Sequence, residues 1–229
     1  MKVNYMLSYL TRERKIGKLF NIPIKINGSF LLLLLLGSVA SLFYGSETIV
    51  MLLILFGSVL IHEFGHIFAA KRYGIRTADV LLHFLGGAAR MELSFKSGTE
   101  EAVMAVAGPI VSLCLGFIGL LSMMVFISVG APAFVITFFH MFTTANFIIG
   151  IFNLLPAFPM DGGRILHGVL WNFQGIRKAT NTVILVAKIF AIIFLLLGIF
   201  TFTPSMLLLA WFIWNAGSQE RDMIFRKFT

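Results

Sequence analysis

Charge is scarce in this chain. Only 12% of its 229 residues are Asp, Glu, Lys or Arg and 59% are hydrophobic, whereas a soluble domain carries about 25% charged residues. The deficit excludes an ordinary water-soluble fold and points to an integral membrane protein, with length for one membrane domain and no second soluble one. Cysteine is nearly absent. Cys114 is the single one, so no intrachain disulfide forms, and within an apolar segment it is expected to pack as a small buried hydrophobe. Carboxylates are also few, ten against eighteen Lys and Arg, for a net charge of +8. Such a surplus can mark a nucleic-acid binder, but its placement excludes that reading. Lys2, Arg12, Arg14, Lys15, Lys18 and Lys25 all precede the first apolar run near Phe30, which makes the lipid bilayer the expected partner. This leader is too long and too mixed for a signal-peptide n-region, and no cleavage is expected.

Six apolar stretches follow, at about 29–45, 48–74, 101–129, 132–155, 180–200 and 204–217; a crossing takes roughly 20 residues. Turns near 44–48, 130–132 and 201–205 hold no Lys or Arg. The other connections hold Lys71, Arg72, Arg76, Arg90 and Lys96, then Arg164, Arg177 and Lys178, then Arg221, Arg226 and Lys227. The positive-inside rule therefore puts both termini and these loops in the cytoplasm. Lys188 lies inside the fifth stretch and is expected to snorkel to that face. The predicted fold is an all-α polytopic membrane protein of six transmembrane helices with a small β-hairpin on the cytoplasmic side. Residues 1–28 are a basic cytoplasmic segment, 29–217 the six-span domain with a hairpin loop at 75–98, and 218–229 a cytoplasmic tail. The hairpin rests on β-branched and alternating residues around Gly86-Gly87, a turn-type pair. In span three, Gly108-Pro109 should bend the helix and Ser112 with Gly116 allows close helix approach.

Span two contains IHEFGH. An ionisable group at the centre of a bilayer costs on the order of 2.5 to 3.5 kcal/mol even on permissive scales, so His62, Glu63 and His66 need a reason to be there. Residues i and i+4 share a helix face, which lets both imidazoles reach one ion while the carboxylate stands beside them as a general base. A catalytic zinc site takes three protein ligands and keeps one position open. Asp161 is the acid that stands apart, at the end of span four in NLLPAFPMDGGRIL. Pro156 and Pro159 must break the helix there and Gly162-Gly163 permits a tight turn; broken backbone at membrane depth is tolerated where it is buried or lines a water-filled cavity. Spans two and four both run inward, so the two motifs can meet in the cytoplasmic half. The Asn153 amide could steady a substrate carbonyl or simply join helices. His140, about 30 Å of helix from Asp161, is read as packing or an outer-side hydrogen bond; His167 is read as part of a polar helix face, with a supporting place behind the metal ligands as the alternative. Trp211 and Trp214 are read as interface or packing residues.

These residues resemble the site-2 protease family of intramembrane metalloproteases, whose pattern is H-E-x-x-H in one span and N-x-x-P-x-x-x-x-D-G in a later one. The likeness rests on HEFGH at His62 to His66 and NLLPAFPMDG at Asn153 to Gly162, with support from AVAGPIVS at Ala105 to Ser112 and LGGAA at Leu85 to Ala89. It implies that His62, His66 and Asp161 bind one Zn²⁺, that Glu63 is the general base, and that Asn153 assists near the scissile carbonyl. It implies a membrane-anchored protein as substrate, cut in or next to its transmembrane helix, and a regulatory membrane protein as a further partner. The compact form, without PDZ or CBS domains, is the one it is most similar to.

Rival readings differ in what they require. A non-haem iron oxygenase also uses two His and one carboxylate, but leaves Glu63 without a role. A metal transporter or a non-proteolytic membrane protein would need polar residues continuing to the outer face, which apart from His140 is nearly bare. The hairpin could bind an unwound substrate strand by edge pairing or serve only to support span two.

Overall fold

The computed structural model describes residues 12–84, 86–92 and 95–228. Residues 1–11 of the basic leader, including Lys2, and Leu85 of the Leu85–Ala89 loop lie outside the described part. The helices are α1 Gly28–Tyr44, α2 Glu47–Arg72, α3 Gly98–Ser128, α4 Ala133–Asn153, α5 Asp161–Gln174, α6 Ile176–Phe200 and α7 Pro204–Phe228. Each of the six apolar stretches is helical over most of its length. Among the described residues four helices, α2, α3, α4 and α6, are long and apolar enough to cross a membrane, and α1 is a shorter apolar helix. Two compact units make up the chain, Met1–Leu93 with Ile110–Gly150, and Ser94–Pro109 with Ile151–Thr229.

The first unit corrects the sequence reading. In place of a lone hairpin there is a four-stranded sheet in the order β1-β2-β3-β4, formed by Arg14–Leu19, Ile22–Ile26, Thr77–His83 and Gly86–Met91. Strands β1 and β2 come from the segment read as a basic leader, and β2 pairs parallel to β3. In β2 the isoleucines Ile22, Ile24 and Ile26 alternate with Pro23 and Lys25, a period-two pattern with one face to bury. Ile26 of β2, Phe30, Phe56 and Leu82 form one buried cluster; Phe64, Ile67 and Val80 form another, joined by Ile22, Ala89 and Met91. The sheet is thereby packed onto α2 on both sides of Glu63.

Two turns explain local detail. Phe20 and Asn21 have positive φ, 49° and 67°, the two-residue geometry that suits a right-twisted hairpin. Asn tolerates this region while Phe does so at a cost of about 1–2 kcal/mol. The Phe20 ring is seated edge-on against Phe64 and Phe68, with centroids 5.7 and 5.2 Å away, and those contacts offset the strain. The β3–β4 turn is not at Gly86-Gly87. His83 pairs with Gly86 and Leu82 with Gly87, so both glycines lie within β4. Gly87 is needed for proximity: a Cβ there would sit 2.8 Å from a Val59 methyl and 3.2 Å from Glu63 Cγ.

In the second unit α5, α6 and α7 pack around Ala157, Met160, Ala187, Ala191 and Ile213, and around Phe158, Val183 and Ile184. Lys188 on α6 lies over the Trp214 ring of α7, 5.2 Å from its centroid, so this cation is held by an aromatic face as well as a flexible stem. Cys114 is exposed on the chain's surface, not buried as expected. It occupies a helix face that protein does not cover.

Candidate active site

Helix α2 carries the HEFGH motif in its C-terminal half. The i, i+4 spacing places His62 and His66 on one face, and both are buried. Their Nε2 atoms stand 3.1 Å apart. Two nitrogens bound at roughly 2.0–2.1 Å to one tetrahedral ion are separated by about 3.3 Å, so the pair is spaced as two ligands of a single cation. Nδ1 of His62 is 2.9 Å from Oγ of Ser112. With the hydroxyl as acceptor of Nδ1–H, the lone pair of His62 is on Nε2, the nitrogen that faces His66. The donor set fits zinc.

Glu63 is half-buried and turned toward the sheet. Its Oε2 accepts the backbone N–H of Ala89 at 2.9 Å. One turn before His62, Ser58 accepts a hydrogen bond from Asn146 Nδ2 at 2.9 Å, and Asn146 also donates to the Phe142 carbonyl at 2.9 Å. Gly116 and Gly119 admit Phe147 and Thr143, respectively, at positions where a Cβ would collide, as the small-residue spacing in span three suggests.

Asp161 is the first residue of α5. The helix can begin there because α4 ends at Asn153 and the Leu154–Met160 segment folds back beneath the first turn of α5. Side chains at Gly162 or Gly163 would drive into the carbonyls of Leu154 and Leu155 or the backbone of Ala157 and Phe158, so both glycines are required by close approach. Asn153, the last residue of α4, is half-buried. His62 and His66 belong to the first unit and Asp161 to the second; each is of a residue type that can bind a metal ion.

His167 is not on a polar face. It is 1% exposed, with Nδ1 2.6 Å from Oε2 of Glu101 and Nε2 3.0 Å from Oγ1 of Thr180. Its partners belong to α3 and α6. Backbone contact between Gly98 and Gly168 brings α3 and α5 close, since a Cβ on either glycine would meet the main chain of the other segment. Arg164 of α5 pairs with Glu220 of α7 at 2.5 Å.

Sequence reasoning missed Ser112 as a partner of His62 and Ala89 as a partner of Glu63. Ser112 had a signal, being a polar residue in an otherwise apolar span. Ala89 had none, because the group involved is a backbone N–H that every residue but proline carries.

The comparisons with known proteins point to zinc metalloproteases. The chain matches the model of peptidase family M50 over residues 50–132 and 121–197. It is 33% identical over 211 residues to a zinc metalloprotease of Methanocaldococcus jannaschii, an alignment covering 92% of this chain and 61% of that protein. It is 35% identical over 109 residues to stage IV sporulation protein FB of Bacillus subtilis, covering 47% of this chain and 36% of that one. The chain therefore spans about three-fifths or less of the length of these curated relatives. Among solved structures it is similar to a site-2 protease from Methanocaldococcus jannaschii, with a TM-score of 0.70, 32% identity, and coverage of 92% of this chain and 95% of that one. With the family model matching well over half of its residues, the chain belongs to peptidase family M50, the family of the site-2 proteases.

Proposed function

We propose that this multi-pass membrane protein is a zinc metalloprotease that hydrolyses peptide bonds in or next to the transmembrane segments of membrane-anchored proteins. The observation that carries the reading is the pair of buried imidazoles, 3.1 Å apart at Nε2, one residue from a carboxylate in a helix apolar enough to cross the bilayer. His62, His66 and Asp161 would hold one zinc ion. Zinc, when bound, supplies a Lewis acid that polarises a carbonyl and makes water acidic enough to lose a proton near neutral pH. Glu63 is the general base: it takes the proton of the attacking water and delivers it to the leaving nitrogen. Asn153 would donate its amide to the substrate carbonyl, favouring the oxyanion over the ground state.

A transmembrane helix has all its backbone groups internally bonded. The substrate must therefore unwind locally to present a peptide bond, and helix-breaking residues near the cut would favour it. Six spans, cytoplasmic termini and a site in the cytoplasmic half follow from the placement of Lys and Arg. The name carried by the curated relative, zinc metalloprotease, supports the same chemistry.

The test is cleavage of a panel of co-expressed membrane-anchored proteins by wild type and Glu63→Gln, with zinc measured in both. Wild type should cleave in a chelator-sensitive manner with one zinc per chain, while the variant keeps zinc and does not cleave. If Glu63→Gln kept zinc and cleaved like wild type, the mechanism would be wrong; iron in place of zinc would favour an oxygenase.

A further inference from the structure

The strand β4 presents an edge to α2, and that edge makes one contact of consequence. In the β2–β3 pairing the carbonyl of Leu82 accepts Asn27 N–H at 3.3 Å, so Leu82 and Val80 direct their backbone groups toward β2. Leu81 and His83 therefore direct theirs toward β4 and meet Ala88 and Gly86. By alternation Gly87 and Ala89 point their N–H and C=O groups away from the sheet. Because β4 ends the sheet, no strand among the described residues satisfies them. The Ala89 N–H is taken instead by Glu63 Oε2, 2.9 Å away.

Several features make this contact built in. Gly87 lies against Val59, one helical turn before Glu63, where a Cβ would come within 2.8 Å of a Val59 methyl. Beyond Glu63, Ala89 packs against the cluster of Phe64, Ile67 and Val80. The strand is thus clamped to α2 on both sides of the carboxylate.

We infer that the β4 main chain positions the general base: the Ala89 N–H fixes one oxygen of Glu63 and leaves the other directed at the proton it must take, with Gly87 permitting the approach. Glu63 would otherwise have freely rotating torsions in its side chain, and a misplacement of about 1 Å can cost on the order of 100-fold in rate. The inference rests on the role of Glu63 as general base, and the contact itself can be read without any activity.

Ala89→Pro deletes this one donor. Proline is tolerated on an edge strand where the N–H points away from the ladder, so the bonds made by Ala88 to β3 are kept. In the full-length protein with zinc bound, kcat on a transmembrane substrate should fall by roughly 10- to 100-fold while KM and zinc content stay within about twofold. Ala89→Gly retains the N–H and should exceed Ala89→Pro by at least roughly tenfold in kcat. Gly87→Ala should also lose kcat, and Val59→Ala in the same chain, by making room for the added methyl, should recover it. The readout independent of activity is amide exchange of Ala89, protected in wild type and accelerated in Glu63→Ala. Loss of zinc together with activity in Ala89→Pro, or wild-type kcat in that variant, would overturn the inference, as would equal Ala89 exchange with and without the Glu63 carboxylate. Absence of cleavage by wild type would count against the protease reading alone, since the exchange measurement still decides the contact.

Discussion

His62 and Ser112 stand 2.9 Å apart, Nδ1 to Oγ, and the bond determines which imidazole nitrogen is available to a metal. Removing such an outer partner of a metal-binding histidine typically costs about 10- to 100-fold in metal affinity. Ser112→Ala should weaken zinc binding by that order in a competition titration, without loss of the fold. Unchanged zinc affinity would mean that Ser112 serves helix packing alone.

Zinc removal tests the same centre from the other side. The Nε2 atoms of His62 and His66 stand 3.1 Å apart in a buried space, so a bound cation would hold the two nitrogens together. Chelation should abolish cleavage, and adding back zinc should restore it. The apo protein should also unfold more easily, by RT ln(1 + [Zn]/Kd), which is about 4 kcal/mol at a thousandfold excess over Kd. A chelated protein as stable as the zinc-loaded one would contradict the ligand assignment.

The helix that carries His62 to His66 and the break before Asp161 could be read from the chain because both are local. HEFGH needs only a helix, and the proline-broken segment before Asp161 announces irregular backbone. What could not be read depends on distant partners. Gly86-Gly87 carries the signature of a turn, yet Gly87 answers to Val59, 28 positions earlier in the sequence. The first two strands were obscured because lysines between isoleucines look like a basic leader until β3 supplies a pairing edge. His167 sits near Arg164 in sequence and so resembles a polar face, whereas its partners Glu101 and Thr180 come from other helices. Cys114 was misjudged because in a membrane an apolar residue can be exposed on the chain surface without meeting water.

The Glu101–His167 pair is almost wholly buried, with side chains 4% and 2% exposed. Breaking such a pair by removing one partner costs about 3–5 kcal/mol, because the other is left without compensation. Glu101→Leu and His167→Leu should each destabilise the protein by that order in unfolding titrations. The double variant should recover much of the loss, and simple additivity of the two would show that the pair is not coupled. Because Asp161 opens the helix that carries His167, each single variant should also bind zinc more weakly.

Asp79 gives a dependence on pH. Arg90 grips it through two bonds, Nε–Oδ1 at 2.5 Å and Nη2–Oδ2 at 2.7 Å, and Lys25 adds a third contact at 2.7 Å. The Arg90 hydrogen bonds, aided by Lys25, hold the Asp79 carboxyl below its ordinary 3.8 against the opposing effect of burial. A group whose pKa is depressed by folding stabilises the folded state fully above its unfolded value and loses that contribution as pH falls through its folded one. The sheet should therefore hold constant strength from neutrality down to about pH 4 and weaken below it. Amide exchange of β3 and β4, corrected for the intrinsic pH dependence, should be slower in wild type than in Asp79→Asn at pH 6. That difference should close as Asp79 protonates. A difference that persists undiminished in strong acid would show that the Asp79 carboxylate charge contributes nothing to holding the sheet together.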